Sequence, residues 1–264
     1  MHDAVSKAPN TTLLLIDDDE VSREIVSTLL GLGGYSVQTA ESGEAALKLL
    51  KVSAPAVILL DAQMPGLSGI RLVDALRASC LALVVVISAS EPRAGLRDAA
   101  DGFLLKPFGP EELTKLLQAL KSPSAWQQSG ALARLPEPPT TDPDFSEPVI
   151  SPETLAQLRA MMPAEAIRQI FTALAEDLDQ RMIALDVARA ARDNAELRRI
   201  GHAIKGGCVM AGAVQIARIA ARIEAGALET ASHPDRNHLD NGSPILIELR
   251  RAARNLRGML EMDF

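Results

Sequence analysis

Short apolar runs alternate with amphipathic segments through the first half of the chain. Leu13 to Ile16 has the length and hydrophobicity of a buried strand. Val21 to Leu32 carries apolar residues at helical spacing and stops before two glycines, which favours a helix ending there. The alternation continues, with strands predicted at residues 35–39, 56–60, 81–87 and 102–105 and helices at residues 42–52, 68–79 and 110–121. Five strands alternating with helices indicate an α/β fold whose parallel sheet is covered on both faces.

Proline interrupts this pattern after residue 121. One proline precedes the segment PEPPTTDPDFSEP and five lie within it. They are Pro123, Pro136, Pro138, Pro139, Pro143 and Pro148. Such a stretch is typical of a semi-rigid, extended linker, and compact domains rarely contain loops this long. We therefore predict a first domain at residues 11–121, a linker at residues 122–150 and a second domain at residues 151–264.

The second half of the chain shows helical patterns and no strand patterns. Ser151-Pro152-Glu153 is typical of a helix start, with a capping residue, a proline and an acid in order. Helical patterns follow at residues 163–191, 194–211, 213–230 and 245–260, with a predicted loop before the last. Amphipathic helices joined by modest loops predict an all-α domain, an antiparallel helical bundle.

Composition narrows the possible functions. Apolar residues make up 47% of the chain, enough for two cores, and the net charge of −7 argues against a nucleic-acid partner. The first residues lack the apolar core of a signal peptide, and no apolar run reaches the roughly 18 residues of a membrane span. Cys80 and Cys208 lack metal-type spacing and are interpreted as reduced thiols. We expect a cytoplasmic protein that does not bind membranes.

Acidic residues follow two strands of the predicted sheet. Asp17, Asp18 and Asp61 all lie at carboxyl ends of strands, the edge at which open α/β sheets bind ligands. Carboxylates crowded together repel each other unless a cation lies between them. Mg²⁺ suits such a site, because it needs only a few carboxylates together with phosphate and water.

Ser88 and Lys106 follow the fourth and fifth predicted strands and should reach the same edge. Three carboxylates, one hydroxyl and one lysine are suited to phosphoryl transfer onto a carboxylate. One aspartate attacks, the metal and the lysine neutralise the phosphoryl oxygens, and the hydroxyl donates to one of them.

These segments resemble a known family. LLLIDDDEVSR, LLDAQMPGLSG, VVVISAS and FLLKPF together are similar, in order and approximate spacing, to response-regulator receiver domains over about residues 11–121. The resemblance implies a flavodoxin-like sheet of order 2-1-3-4-5 and a cis bond between Lys106 and Pro107. It also implies that Asp61 is the phosphoacceptor.

The resemblance implies further roles at this edge. Asp17, Asp18 and Asp61 would hold Mg²⁺ together with the backbone carbonyl of Gln63. Ser88 and Lys106 would bind the phosphoryl group, and Phe103 would be the aromatic switch. The segment EPRAGLRDAAD is a few residues shorter than in typical receivers and leaves little room for the fourth helix.

One histidine of the second half stands out. His202, Lys205 and Gly206 are spaced i, i+3 and i+4 and share one helix face. A neutral imidazole is a good nucleophile, a lysine one turn away could stabilise phosphoryl charge, and a glycine there gives a partner's active site close access. The pattern resembles the histidine-phosphotransfer (Hpt) domain over about residues 151–262. That resemblance implies phosphorylation of His202, support from Lys205 and Gly206, and a turn at Gly212.

Together the two resemblances imply a bacterial phosphorelay intermediate, a signalling phosphoprotein without its own ATP-dependent kinase domain. The expected partners are a sensor or hybrid histidine kinase and a downstream response-regulator receiver.

Two alternatives use the same residues differently. A regulatory scaffold or phosphate sink would act by docking to a kinase or a response regulator. A haloacid-dehalogenase-type phosphohydrolase would use Asp17 and Asp19, but the acidic pair such enzymes need after the lysine is represented only by Glu111 and Glu112, within a predicted helix.

Overall fold

The computed structural model of the chain describes residues 11–90, 94–121, 148–226, 228 and 243–262. The chain divides into two compact units, Met1–Glu137 and Pro138–Phe264. Most of the predicted linker, residues 122–147, lies outside the described residues, so the linker and the domain limits remain predictions.

The first unit contains a five-stranded parallel sheet of order β2-β1-β3-β4-β5, as the resemblance implied. The strands are β1 (Thr12–Ile16), β2 (Ser36–Ala40), β3 (Val57–Asp61), β4 (Leu83–Ser88) and β5 (Gly102–Leu105). The helices are α1 (Glu20–Leu32), α2 (Gly43–Leu49), α3 (Gly69–Ser79), α4 (Ala94–Ala99) and α5 (Pro110–Lys121).

Aliphatic side chains form the core of this unit. Strands β1, β3 and β4 are buried over almost their whole length, which explains why their sequences are continuous apolar runs. Strand β2 lies at the edge of the sheet and is largely exposed. Rigid central strands fix the positions of the residues that follow them, which is how the fold builds a site.

Two predictions about helices of this unit need correction. The helix capped by Ser42 ends at Leu49 instead of Val52, because the chain leaves the helix in tight turns that pair Lys51 with Lys48 and Val52 with Leu49. The short segment before β5 does contain a helix, the six-residue α4.

The second unit consists of packed helices, as predicted. They are α6 (Pro152–Met161), α7 (Ala164–Ala191), α8 (Asn194–Ala211), α9 (Val214–Glu224) and α10 (Pro244–Met262). Helix α8 packs between α7 and α9, and α10 contacts both of those helices. Helix α9 ends at Glu224, earlier than the predicted Thr230, and is followed by Gly226 with a φ of 94°.

Among the residues that the structure describes, no helix has the length and hydrophobicity needed to cross a membrane. Cys208 is buried and Cys80 is partly buried, and no disulfide joins them.

Candidate functional site

The carboxyl edge of the sheet brings together the residues that the sequence places at strand ends. Asp17 follows β1, Asp61 ends β3, Ser88 ends β4 and Lys106 follows β5. All four are buried, between 1% and 6% exposed. Buried polar groups must find partners within the protein, so their contacts define the chemistry of the site.

Lys106 lies at the centre of this edge. Its Nζ is 2.9 Å from Asp17 Oδ2, 3.0 Å from Asp61 Oδ1 and 2.9 Å from the hydroxyl of Ser22. Burial alone would lower the pKa of Lys106, but the charges of Asp61 and Asp17 and their hydrogen bonds raise it above its ordinary value. Lys106 is therefore a fixed positive charge beside the predicted phosphoacceptor.

The two aspartates are also held by other groups. Asp17 Oδ1 accepts the backbone N–H of Asp19 at 2.9 Å, and Asp17 Oδ2 accepts the hydroxyl of Ser22 at 2.8 Å. Asp61 Oδ2 accepts the backbone N–H of Gln63 at 3.1 Å. These bonds orient both carboxylates before any substrate arrives.

Asp18 carries negative charge that Lys106 does not offset. Burial, followed by repulsion from Asp17 and Asp61, raises the pKa of Asp18 to about 6. The edge can therefore accept more positive charge than the lysine provides.

Oxygen donors and excess negative charge suit a hard divalent cation such as Mg²⁺. Within the described part of the chain, however, no group of three His, Cys, Asp or Glu side chains is arranged to hold a metal ion. Asp17 and Asp61 each place an oxygen within 3.0 Å of Lys106 Nζ. A cation at this edge would share those two carboxylates with the lysine.

The remaining predicted residues occupy the expected elements. The Ser88 hydroxyl, at the end of β4, accepts the N–H of Ser90 at 3.3 Å. Phe103 on β5 is 8% exposed, and the guanidinium of Arg97 lies over its ring, 5.9 Å from the centroid. The peptide bond between Lys106 and Pro107 is cis, as the resemblance implied.

His202 forms the core of a second cluster, on helix α8. Its Nδ1 is 2.8 Å from Glu224 Oε1, and Lys205 Nζ is 2.8 Å from Glu224 Oε2. Burial alone would raise the pKa of Glu224, but hydrogen bonds from His202 and Lys205 lower it to about 2. Because an ionised carboxylate only accepts hydrogen bonds, His202 Nδ1 is the donor, and Nε2 is left as the nitrogen with a lone pair.

Glycines control the space around His202. A Cβ at Gly201 would lie 2.7 Å from the backbone nitrogen of Glu224, so this glycine lets α8 and α9 approach closely. A Cβ at Gly206 would meet nothing within 4 Å, so there is open space beside this buried glycine. Gly212 ends α8 with a φ of 74°, which confirms the predicted turn.

Sequence reasoning missed Ser22, Gly201 and Glu224. Ser22 is one polar residue on an otherwise apolar helix face, and Gly201 directly precedes the histidine, so both offered a weak local signal. Glu224 lies 22 positions from His202 and is identified only by the packing of α9 on α8. The other histidines, His2, His233 and His238, lie outside the described residues.

Comparison with known proteins assigns both units. Residues 13–118 match the response regulator receiver domain family, and residues 150–261 match the Hpt domain family. A response regulator MprA from Mycobacterium sp. (strain KMS) is 38% identical over 131 residues, which cover 47% of this chain and 57% of that protein. A probable transcriptional regulator ycf27 from Cyanidium caldarium is 37% identical over 112 residues, 41% of this chain and 45% of its own length. This chain thus spans about half the length of those relatives.

Several solved structures match less than half of this chain. The chemotaxis protein CheY4 of Vibrio cholerae is 30% identical, with 42% of this chain and 99% of that chain covered and a TM-score of 0.39. The response regulator TrrA of Thermotoga maritima, in complex with Mg²⁺-BeF, is 29% identical, with 42% and 98% covered and a TM-score of 0.38. The family matches show that this chain contains a response regulator receiver domain followed by an Hpt domain.

Proposed function

We propose that this chain is a phosphorelay intermediate that carries a phosphoryl group on Asp61 and on His202. The observation that carries the proposal is the presence of two prepared acceptors in one chain. The Asp61 carboxylate lies 3.0 Å from a buried lysine ammonium, and the His202 imidazole has its Nδ1 engaged by Glu224. At Asp61 a positive charge therefore lies near the position that phosphoryl oxygens would occupy, and at His202 the imidazole and Lys205 share the carboxylate of Glu224.

Phosphorylation of Asp61 is an attack by a carboxylate oxygen on phosphorus. Lys106 offsets the charge of the phosphoryl oxygens, and the Ser88 hydroxyl donates to one of them. Asp17, Asp18, Asp61 and the Gln63 carbonyl would hold Mg²⁺, which neutralises phosphoryl charge when it is bound. The raised pKa of Asp18 supports this assignment, and the related TrrA was solved with Mg²⁺-BeF.

Phosphorylation of His202 would take place at Nε2. Glu224 accepts the proton-bearing Nδ1, which selects the tautomer whose Nε2 lone pair can attack phosphorus. Lys205 would help offset phosphoryl charge, and the open space at Gly206 would admit the active site of a receiver. In this proposal, phosphorylation of His202 uses no metal bound to the Hpt domain.

The partners follow from this chemistry. A sensor or hybrid histidine kinase would supply the phosphoryl group, and the receiver of a downstream response regulator would exchange it with His202. The phosphoryl group would also move between an aspartate of the Asp61 kind and a histidine of the His202 kind, either within this chain or between two proteins.

The test uses the full chain, Mg²⁺ and radiolabelled acetyl phosphate. Wild type is compared with Asp61→Asn and His202→Gln, and label is scored after acid and after alkali. Phosphohistidine survives alkali, whereas the acyl phosphate of aspartate does not. We expect alkali-labile label to depend on Asp61 and alkali-stable label to depend on both residues.

Other outcomes would change the proposal in defined ways. Label confined to Asp61 would mean that His202 exchanges phosphate only with other proteins. Alkali-stable label that persists in Asp61→Asn would show that the receiver is not the entry point. Hydrolysis of the donor that depends on Asp17 and leaves no labelled protein would overturn the relay.

A further inference from the structure

Ser22 occupies a position in the receiver site that the phosphorylation chemistry described above does not use. It lies in the first turn of α1 and is 1% exposed. Its backbone N–H donates to Asp19 Oδ1 at 2.7 Å, which caps the helix. The cap requires only the backbone, so the buried hydroxyl needs a separate explanation.

The directions of the hydroxyl's hydrogen bonds are fixed by its partners. An ammonium can only donate, so the Ser22 oxygen accepts from Lys106 Nζ at 2.9 Å. The hydroxyl hydrogen then goes to Asp17 Oδ2 at 2.8 Å. Lys106 also donates directly to Asp17 Oδ2 at 2.9 Å, which closes a triangle of hydrogen bonds.

The triangle completes the coordination of the lysine. An ammonium has three hydrogens, and Asp17, Asp61 and Ser22 provide one acceptor for each. Lys106 is 6% exposed, so a missing acceptor would leave a buried charged donor unsatisfied. We propose that Ser22 is a positioning residue, which anchors Lys106 so that it can leave Asp61 for an incoming phosphoryl oxygen.

The inference rests on the proposed function, because it assigns Lys106 to the phosphoryl group. When an Asp61 oxygen forms its bond to phosphorus, the bond from phosphorus to the donor atom breaks, and its electron pair leaves with the donor. That atom is an oxygen in acetyl phosphate and an imidazole nitrogen in a phosphohistidine. The Asp61 carboxylate becomes the uncharged acyl part of a mixed anhydride, and the negative charge that attracts Lys106 then lies on the phosphoryl oxygens. The ammonium then exchanges one of its three hydrogen bonds, while Asp17 and Ser22 retain the other two.

The experiment compares four variants of the full chain. Ser22→Ala and Ser22→Cys both remove the hydroxyl, and the cysteine nearly keeps the volume. Ser22→Thr retains a hydroxyl. Ser27→Ala is the matched control, because it removes a hydroxyl on the same helix that donates to the Glu24 carbonyl, away from the site.

Three quantities are measured. The first is the single-turnover rate of Asp61 labelling by acetyl phosphate at saturating Mg²⁺. The second is the Kd for Mg²⁺, by calorimetry. The third is hydrogen exchange of the Lys106 ammonium, by NMR without any phosphodonor. This last quantity reports the hold on the lysine directly and does not depend on phosphorylation.

We expect removal of the hydroxyl to slow labelling about tenfold and to speed ammonium exchange, since one hydrogen bond to a buried charge is lost. Ser22→Thr and Ser27→Ala should stay near wild type. In Ser22→Ala and Ser22→Cys the Kd for Mg²⁺ should rise by a smaller factor than the labelling rate falls, although Ser22 also donates to Asp17. Unchanged rates and exchange in both Ser22→Ala and Ser22→Cys would overturn the inference, as would a loss of Mg²⁺ affinity as large as the loss of rate. If wild type takes no label on Asp61, the proposed function fails, and unchanged ammonium exchange would separately overturn the role of Ser22.

Discussion

Among single residues, Asp18 carries a charge that the folded protein disfavours. Its pKa rises from 3.8 to about 6 through burial and repulsion from Asp17 and Asp61. A carboxyl whose pKa is higher in the folded state weakens folding at neutral pH, and this penalty fades as the pH falls through about 6 toward 4. We expect Asp18→Asn to stabilise the metal-free protein at pH 7.5 by about 1 kcal/mol, a value reduced because Asp18 is partly exposed.

Urea denaturation in the presence of a chelator checks this expectation. The gain should be absent at pH 4, where the wild-type carboxyl is already protonated, and Mg²⁺ at pH 7.5 should stabilise the wild type more than the variant. Asp98→Asn removes an exposed charge of the same unit and serves as the control. An Asp18→Asn variant with wild-type stability at pH 7.5 would contradict the electrostatic account.

In the Hpt domain, Glu224 has a pKa shifted in the opposite direction from that of Asp18. Its pKa is lowered to about 2, so its carboxylate stabilises the fold above pH 4.5, and that contribution is lost as the pH falls toward 2. We expect Glu224→Gln to cost about 1 kcal/mol at pH 7 and to slow transfer to His202 by about tenfold, because the tautomer and Lys205 lose their carboxylate.

The matched control for Glu224 is Glu248→Gln. Glu248 pairs with Arg222 at 2.5 Å between α9 and α10, so its loss weakens helix packing without touching His202. Stability is measured by urea denaturation, and transfer by the appearance of alkali-stable label. If both variants slow transfer equally, Glu224 acts through packing alone.

At the scale of elements, Gly201 and Gly206 of helix α8 have opposite surroundings. Gly206 has open space where a Cβ would lie, and alanine is more favourable than glycine within a helix by about 1 kcal/mol. We expect Gly206→Ala to raise the free energy of unfolding by up to about that amount. Transfer between His202 and a receiver should nevertheless slow, because the added methyl obstructs close docking.

Gly201→Ala should have the opposite effect on stability. The new Cβ would lie 2.7 Å from the Glu224 nitrogen and 3.0 Å from Ile223 Cγ2, so α8 and α9 must separate. We expect a loss of about 2 kcal/mol in stability, typical of overpacking, together with slower phosphorylation of His202. Thermal unfolding and labelling of both variants check the pair, and a Gly206→Ala variant that transfers at the wild-type rate would contradict the docking role.

The sequence predicts which residues share a sheet edge or a helix face, but it does not predict which residues meet where two helices pack. Asp17, Asp61, Ser88 and Lys106 could be placed together because parallel strands end at one edge of a sheet. His202, Lys205 and Gly206 could be placed on one face because helical spacing is regular. Contacts that depend on how one helix packs on another, such as Glu224 with His202, carry no such periodic signal. The early end of α2 at Leu49 likewise depends on local turns that the apolar pattern does not show.

At the scale of the whole molecule, the covalent connection between the two acceptors is the property to test. Covalent connection of two modules that can meet makes their encounter intramolecular, with an effective concentration of about millimolar for short flexible linkers. At micromolar protein, transfer within a chain should therefore be much faster than transfer between chains. We expect alkali-stable label in the wild type to form at a rate independent of protein concentration.

Mixing the two acceptor variants separates the routes. Asp61→Asn retains His202, and His202→Gln retains Asp61, so a mixture can produce phosphohistidine only between chains. That label should form slowly and in proportion to concentration. If the mixture matches the wild type, the connection provides no advantage, and the Hpt domain must serve the receivers of other proteins. A fast wild type and a slow mixture would instead show that Asp61 and His202 exchange phosphate within one chain, because the variants lack only the covalent link between an intact donor and an intact acceptor.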